Sequence, residues 1–204
     1  VKYDLGLFDD PYGKVERSSQ VGSEKNRQVA RDAVKMSMVL LKNESSALPL
    51  NKDQKITVVG SGANNLGMQN GGWTVEWQGR STPDFKILDS NSDEKLNLNE
   101  VTTYFKSAYD SKYDAGNVEG FFKNLDKDSD KVVSMEEFTA FATESPFQPS
   151  GTSILNALEG ASNSQDLVTY DPRAENLSKG EIIVAVVGEN PYAEGIGDNP
   201  TIEL

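Results

Sequence analysis

Two acidic segments of twelve residues lie in the middle of the sequence, and they constrain the fold more than any other feature. The first is DSNSDEKLNLNE from Asp89, and the second is DKDSDKVVSMEE from Asp126. Both place oxygen-bearing side chains at positions 1, 3, 5, 9 and 12, which is the spacing of an EF-hand calcium loop. The segments start 37 residues apart, a separation that suits paired helix–loop–helix units. The sequence therefore predicts an inserted, all-α EF-hand pair with two Ca²⁺ sites.

Each segment offers five side chains and, at position 7, one main-chain carbonyl as calcium ligands. The candidates are Asp89, Asn91, Asp93, the Lys95 carbonyl, Asn97 and Glu100 in the first loop, and Asp126, Asp128, Asp130, the Val132 carbonyl, Ser134 and Glu137 in the second. Because the second loop has one more acidic ligand, we expect it to bind calcium more tightly. The alternative is a pair of acidic, solvated loops that hold no metal.

Two other loop positions refine this prediction. Position 8, where paired EF-hand loops meet in a short β-bridge, is apolar in both loops, as Leu96 and Val133. Position 6 is normally a glycine with positive φ, but here it is Glu94 and Lys131. A non-glycine residue can adopt that conformation at a cost of about 1 kcal/mol. Pro83 lies close before the first loop, so its entering helix is expected to be short.

Composition excludes several kinds of function. The 204 residues include no cysteine and no histidine, so the chain itself provides no disulfide, thiol nucleophile, imidazole ligand or Ser-His-Asp triad. A net charge of −12 argues against nucleic acid as a partner. No window is apolar enough for a membrane span, and the first residues have no signal-peptide core. Acid–base chemistry must then come mainly from Asp, Glu, Lys or Tyr.

Outside the insert, helical and strand patterns alternate. This alternation predicts an α/β fold, a partial three-layer sandwich with a mostly parallel sheet. The predicted elements are a helix over 23–43, a strand in 55–62, a loop with a short extended piece over 64–79, a helix in 151–161 and strands in 165–170 and 181–190. Glycine-containing loops follow Val59 and Val187, at the carboxyl ends of two strands, where sites in such sheets lie. Between them, residues 81–149 carry fourteen acidic and seven basic side chains.

With the insert set aside, the rest of the chain resembles glycoside hydrolase family 3, the exo-acting β-glucosidase and β-glucanase group. The matching pieces, in order, are LGLFDDPY, ARDAVKMSMVLLKNESSALPL, VVGSGANNLGMQNGGWTVEWQG, GTSIL and VAVVGENPYAEGIGDNP. The resemblance implies a preceding barrel domain with an aspartate nucleophile, followed by the α/β sandwich domain to which this chain corresponds. Residues 1–22 then form a linker, 23–80 and 150–204 the truncated sandwich, and 81–149 the calcium-binding insert.

The same resemblance implies roles for individual residues. Glu189 matches the general acid/base glutamate, with Glu194 as the second choice in that loop, and Trp73 matches a sugar-stacking tryptophan. From the residues alone, an alternative remains for each: Glu189 as a solvated loop carboxylate and Trp73 as a residue packed in the core. We assign Trp77 to the core. Asn64, Asn65 and Gln69 orient sugar hydroxyls or hold their loop, and Glu76 and Asp198 have no assigned role beyond loop structure or a salt bridge.

Three functional hypotheses remain from the sequence. The first is part of a retaining β-glucosidase or exo-β-glucanase that acts on a β-glucan or β-gluco-oligosaccharide, inactive by itself because the barrel nucleophile lies outside it. The second is a non-catalytic, calcium-binding regulatory or interaction module, and the third is a free-standing α/β binding domain. An extracellular or periplasmic location is expected from the resemblance and from the calcium available there.

Overall fold

The computed structural model describes residues 1–12, 15–74, 77–79, 82–109, 114–144 and 151–195, and for residues 15–17 and 109 the backbone alone. Contacts divide the chain into two units, Val1–Leu50 and Asn51–Leu204. The described residues contain seven α-helices and five β-strands. The expected junctions of the insert, at 80–81 and 149–150, lie outside the described residues, as do Glu76 and Asp198.

The first unit consists of turns and one helix, α1 (Glu24–Ser37), flanked by two short 3₁₀ segments. Ser23 caps α1 by accepting a hydrogen bond from the Asn26 N–H, as Ser23 and Glu24 at a helix start predict. The expectation of a helix to residue 43 is wrong, because α1 ends at Ser37 and residues 38–43 form neither helix nor strand. No residue of α1 is buried within the described chain.

The second unit contains a parallel sheet of three strands, β1 (Ile56–Val59), β4 (Val168–Tyr170) and β5 (Ile182–Ala185). Their order in the sheet is β4–β1–β5. The central strand β1 is buried at every position, as expected for an apolar run covered on both faces. Helix α7 (Ile154–Ala161), capped by the buried Ser153, packs Leu155 into this core. The predicted α/β class with a mostly parallel sheet is therefore confirmed.

A helical cluster occupies the sequence between β1 and α7. It comprises α3 (Phe85–Leu88), α4 (Leu98–Tyr109), α5 (Ala115–Leu125) and α6 (Met135–Glu144). Between its helices, β2 (Lys95–Asn97) and β3 (Val132–Ser134) pair antiparallel. Nine buried apolar side chains form its core: Phe85, Leu88, Leu96, Val101, Val118, Phe122, Leu125, Val133 and Phe138. This cluster has a hydrophobic core of its own, separate from that around β1.

The structure tests two local predictions, for the helix before the first acidic loop and for residues 64–79. The helix before the first acidic loop, α3, is four residues long, as the nearby Pro83 predicted. The segment expected to be a loop with a short extended piece instead contains helix α2 (Leu66–Asn70). Asn65 caps the start of α2 by accepting a hydrogen bond from the Met68 N–H. This cap stabilises a short helix in a segment whose glycine-rich composition favours a loop.

Candidate active-site loops and acidic loops

Two loops leave the sheet at the same edge. Strands β1 and β5 are parallel neighbours, and Val59 lies opposite Ala185 in register. The loops that follow them therefore start side by side, which confirms the expectation from their carboxyl-end positions. The chain that leaves β1 passes through α2 (Leu66–Asn70) and then reaches residues 71–74 and 77–79, which we call the tryptophan loop. Residues 188–195, which follow β5, are called the glutamate loop. The candidate residues Trp73 and Glu189 lie on these two loops.

Glu189 is exposed on the glutamate loop. Its Oε2 accepts a hydrogen bond of 2.6 Å from the Tyr192 hydroxyl. This hydrogen bond, together with the negative charge of Glu189, raises the pKa of the Tyr192 phenol. The Tyr192 hydroxyl thus holds one oxygen of the Glu189 carboxylate, and the side chain remains exposed to solvent.

The tryptophan loop presents both indoles of the chain. Trp73 is 70% exposed and Trp77 is 50% exposed, so Trp77 does not lie in the core as the sequence suggested. Their ring centroids are 6.0 Å apart in an edge-to-face arrangement. The main-chain N–H of Trp73 also donates to the main-chain carbonyl of Trp77 at 2.8 Å. The tryptophan loop therefore presents an exposed aromatic face at Trp73.

The three amides near this edge hold loops together. Asn64 donates to Asp84, and Asn65 caps α2. Gln69 donates to the Thr152 carbonyl. These contacts support the loop-holding alternative for all three side chains.

The second acidic loop, residues 126–137, gathers three carboxylates. One oxygen from each of Asp126, Asp128 and Asp130 lies within 4.8 Å of the others. Among the described residues, Asp126 Oδ1 is a buried oxygen without a hydrogen-bond partner. A buried, unpaired carboxylate oxygen is costly unless a cation or donor satisfies it. These oxygens fit a hard cation such as Ca²⁺.

Glu137 closes this loop from position 12. Its carboxylate accepts hydrogen bonds from the Ser134 N–H at 2.9 Å and from the Ser134 hydroxyl at 2.9 Å, and another from the Lys127 N–H at 2.9 Å. The backbone hydrogen bond from Ser134 is the largest cause of a lowered pKa for the Glu137 carboxyl, and the Ser134 hydroxyl adds to it. An ionised carboxylate therefore faces into the loop.

The first acidic loop, residues 89–100, repeats this pattern with more of its oxygens paired. Glu100 accepts from the N–H groups of Ser90 and Asn97, which correspond to the donors that Glu137 uses. The Asn91 amide, however, donates to Asp93 at 3.0 Å. Both oxygens of Asp89 accept backbone N–H groups. The first loop thus presents fewer free carboxylate oxygens than the second.

Both loops turn in the same way, and their position-8 residues face each other. Leu96 is directly opposite Val133 in the β2–β3 pair, and both are fully buried. At position 6, Glu94 has a φ of 62° and Lys131 a φ of 72°. The backbone is therefore left-handed where an EF-hand loop normally has glycine. The calcium assignment itself remains a prediction that this geometry supports.

Lys131→Gly is expected to stabilise the chain by about 0.5–1 kcal/mol. The left-handed conformation costs a residue with a Cβ about 1–2 kcal/mol, and glycine avoids this cost. Glycine also loses more conformational entropy on folding, which offsets part of the gain in stability. Lys127→Gly is the matched control, since Lys127 is in the same loop without a positive φ. Urea unfolding of the calcium-free protein measures both. A loss of stability in Lys131→Gly as large as that in Lys127→Gly would contradict this explanation.

Hydrogen bonds from Arg173 connect the first acidic loop to the α/β part of the same unit. Arg173 follows β4, and one of its terminal nitrogens donates to the carbonyls of Lys86 and Asp89. The other donates to the Ser92 hydroxyl at 3.2 Å and to the Glu175 carboxylate at 3.0 Å. Its side chain is 22% exposed. One guanidinium therefore connects the start of the first loop to the carboxyl end of a sheet strand.

Arg173→Met is expected to lower the free energy of unfolding by about 1–3 kcal/mol, because the carbonyls of Lys86 and Asp89 lose their charged donor. Lys179→Met is the control, since Lys179 is exposed in the same unit. Denaturant unfolding followed by circular dichroism measures both. A loss in Arg173→Met no larger than that in the control would show that the guanidinium contacts contribute little.

Some of these residues were not apparent from the sequence. Tyr192 follows Glu189 by three residues, so a nearby hydroxyl was a local signal for it. The Gln78 side-chain oxygen accepts a hydrogen bond from the Ala193 N–H, 115 residues further along the chain. Arg173 likewise contacts residues 84 and 87 positions before it. No single-sequence pattern indicates such contacts.

The architecture is thus that of an α/β domain with exposed carboxylate and aromatic side chains on adjoining loops at the carboxyl edge of a parallel sheet. Residues 38–204 match the family model described as Glycosyl hydrolase family 3 C-terminal domain. Because this match covers most of the chain, the protein belongs to glycosyl hydrolase family 3.

Curated relatives match shorter stretches. A lysosomal beta glucosidase of Dictyostelium discoideum is 35% identical over 83 residues, covering 39% of this chain and 10% of the relative. A periplasmic beta-glucosidase of Salmonella typhimurium is 41% identical over 81 residues, covering 37% and 11%. The probable beta-D-xylosidase 6 of Arabidopsis thaliana is 41% identical over 96 residues, covering 44% and 12%. The matched part is about a tenth of each relative's length.

Among solved structures, the exo-1,3/1,4-beta-glucanase ExoP from a Pseudoalteromonas species is similar to this chain. The similarity has a TM-score of 0.48 and 24% sequence identity, and it covers 87% of this chain and 15% of that one. Within the described residues, no helix has the length and apolar character needed to cross a membrane.

Proposed function

We propose that this chain is the part of an exo-acting retaining β-glucosidase or exo-β-glucanase that supplies the general acid/base, Glu189, and a sugar-stacking indole, Trp73. The observation that carries the proposal is the placement of both residues on adjoining loops at the carboxyl edge of the sheet. Membership of glycosyl hydrolase family 3 supports the reaction class. The nucleophile comes from a barrel domain outside this chain.

The proposed chemistry uses Glu189 twice. As a carboxylic acid it protonates the glycosidic oxygen as the C–O bond breaks, while the barrel's nucleophile forms a glycosyl-enzyme ester. As a carboxylate it then removes a proton from water, which attacks the anomeric carbon and releases the sugar with retained configuration. The exposed carboxylate, oriented by Tyr192, meets the geometric need for proton exchange with a substrate.

Glu189 is favoured over Glu194 as the acid/base. The Glu194 Oε2 accepts a hydrogen bond of 2.6 Å from the Trp77 indole N–H, and its main-chain carbonyl is bound by Gln78. Glu194 is therefore engaged in contacts between the two loops, which favours a structural role.

We further propose that the two acidic loops bind Ca²⁺, the second more tightly than the first. Asp126, Asp128, Asp130 and Glu137 would hold the ion in the second loop, with the Val132 carbonyl and Ser134. Asp89, Asn91, Asp93 and Glu100 would hold it in the first, with the Lys95 carbonyl and Asn97. The converging aspartates and the unpaired Asp126 oxygen support this order of affinity. Calcium would neutralise clustered carboxylates and so stabilise the helical cluster.

The second candidate function is a calcium-binding regulatory module without a catalytic role. The separate core of the helical cluster favours it. The two functions are compatible, since an insert can regulate the enzyme that contains it. Names of the relatives include a periplasmic and a lysosomal beta-glucosidase, which supports an exported or otherwise non-cytosolic location.

The test of the enzymatic proposal compares this 204-residue chain with a longer protein that also contains the barrel. The longer protein should hydrolyse aryl β-glucosides with retention of configuration, observed by NMR of the first anomer released. The 204-residue chain alone should show no turnover. Aryl β-xylosides belong in the same assay, because some relatives are named xylosidases. Inversion of configuration, or turnover by the short chain, would overturn the proposal.

A further inference from the structure

We propose that Gln78 and Trp77 are positioning residues that fix the glutamate loop and thereby orient Glu189. This inference rests on the proposed role of Glu189 and extends it to side chains that do not touch the substrate. The tryptophan loop then has two separate tasks. Trp73 contacts the sugar, and the residues that follow it hold the acid/base in place.

The first support is a set of three hydrogen bonds between the loops. The Gln78 amide group accepts from the Ala193 N–H at 2.8 Å and donates to the Glu194 carbonyl at 3.2 Å. The Trp77 indole donates to the Glu194 carboxylate at 2.6 Å. Gln78 thus binds two consecutive residues of the glutamate loop, which restrains both its position and its rotation. Ala193 is buried at the contact, with 8% exposure.

The second support is the close approach of the two backbones. A Cβ on Gly72 would lie 2.2 Å from the Tyr192 carbonyl oxygen, and one on Gly79 would lie 2.5 Å from Pro191 Cβ. Both distances are too short for any side chain, so this fit requires glycine at each position. The glycines flank the two tryptophans, and the loops therefore meet along their length rather than at a single point.

The contact reaches Glu189 through Tyr192. Tyr192 lies between Pro191, which packs against Gly79, and Ala193, whose N–H donates to Gln78. The Tyr192 hydroxyl donates to the Glu189 carboxylate at 2.6 Å. Holding the backbone at 191–194 therefore places the Tyr192 hydroxyl, and the hydroxyl in turn orients the carboxylate. Misplacing a reacting group by about 1 Å can reduce a rate by about a hundredfold.

The first part of the test examines the contact in the 204-residue chain itself. The chain has two tryptophans, so a ¹⁵N–¹H spectrum contains two indole signals, and Trp77→Phe identifies the one from Trp77. In Gln78→Met, which keeps the length of the side chain but removes both hydrogen bonds, solvent exchange of the Trp77 indole should accelerate by about tenfold. Gln165→Met, at an exposed position outside both loops, should leave it unchanged.

The second part measures turnover in the protein that also contains the barrel. Gln78→Met should reduce kcat by about 10- to 100-fold with KM within about twofold, because orientation rather than binding is lost. The reduction in kcat/KM, which reports the glycosylation step, should be at least tenfold smaller for an aryl β-glucoside whose leaving group needs no proton. Gln78→Glu, which still accepts from Ala193, should fall between Gln78→Met and the native protein. Gln165→Met should retain full activity.

The outcomes separate this inference from the function on which it rests. If Glu189→Gln abolishes turnover but Gln78→Met does not change kcat, Glu189 is the acid/base and Gln78 does not position it. An equal loss of kcat/KM with good and poor leaving groups would also overturn the inference, since it would indicate a general structural defect rather than a misplaced acid. If Glu189→Gln has little effect, the proposed function fails, and the indole signals still report whether the loops are joined.

Discussion

Glu189→Gln, in a protein that contains both this chain and the barrel, is expected to reduce kcat for aryl β-glucosides with poor leaving groups by about 10²–10⁴-fold. The amide has nearly the shape of the acid but no proton to give to the departing oxygen, and it cannot act as a base toward water. Because the Tyr192 hydroxyl can donate to the amide oxygen as it does to the carboxylate, the loop should keep its structure.

Two comparisons make the Glu189 result specific. A small nucleophile such as azide should restore part of the turnover of a substrate with a good leaving group, since it replaces the water that needs a base. Glu159→Gln is the matched control, because Glu159 lies on α7, outside both loops, and its activity should be unchanged. A loss of less than tenfold in Glu189→Gln would assign the acid/base role to another residue.

Calcium is expected to raise the melting temperature of the 204-residue chain by about 10 °C or more. At a free calcium concentration a hundredfold above Kd, one bound ion stabilises the folded state by about 2.7 kcal/mol. For a folding unit of 60–100 residues, each kcal/mol raises Tm by about 4–8 °C. Differential scanning calorimetry with calcium and with excess chelator measures the shift, which applies to the helical cluster.

Single-site variants separate the two calcium sites. Glu137→Gln should remove the tighter of two binding events in isothermal titration calorimetry, and Glu100→Gln the weaker. Glu119→Gln makes the same charge change at an exposed position of α5, outside both loops, and should bind calcium as the native chain does. If no heat of binding is detected and the melting temperature is the same in chelator, the loops do not bind calcium.

Much of the fold could be predicted because the relevant signals are local. The apolar run at Ile56–Val59, ending in glycine, indicated a buried strand. Helix starts were indicated at Ser23 and at Thr152 or Ser153, and the structure has the caps at Ser23 and Ser153. The spacing of Leu96 and Val133 predicted their pairing. In contrast, the end of α1 was misjudged, because an apolar periodicity to residue 41 does not by itself decide where a helix stops.

In the candidate site, too, the features with local signals could be predicted and those that depend on distant contacts could not. Periodicity, caps and ligand spacing are properties of neighbouring residues, so the α/β class, the paired acidic loops and the two loops that carry Trp73 and Glu189 could be predicted without a structure. The half-exposed position of Trp77, the contact of Gln78 with Ala193 and the attachment of Arg173 to the first acidic loop were decided by the tertiary structure alone. These contacts join residues far apart in the sequence, and which side chains meet there depends on how the sheet and the helical cluster pack in three dimensions.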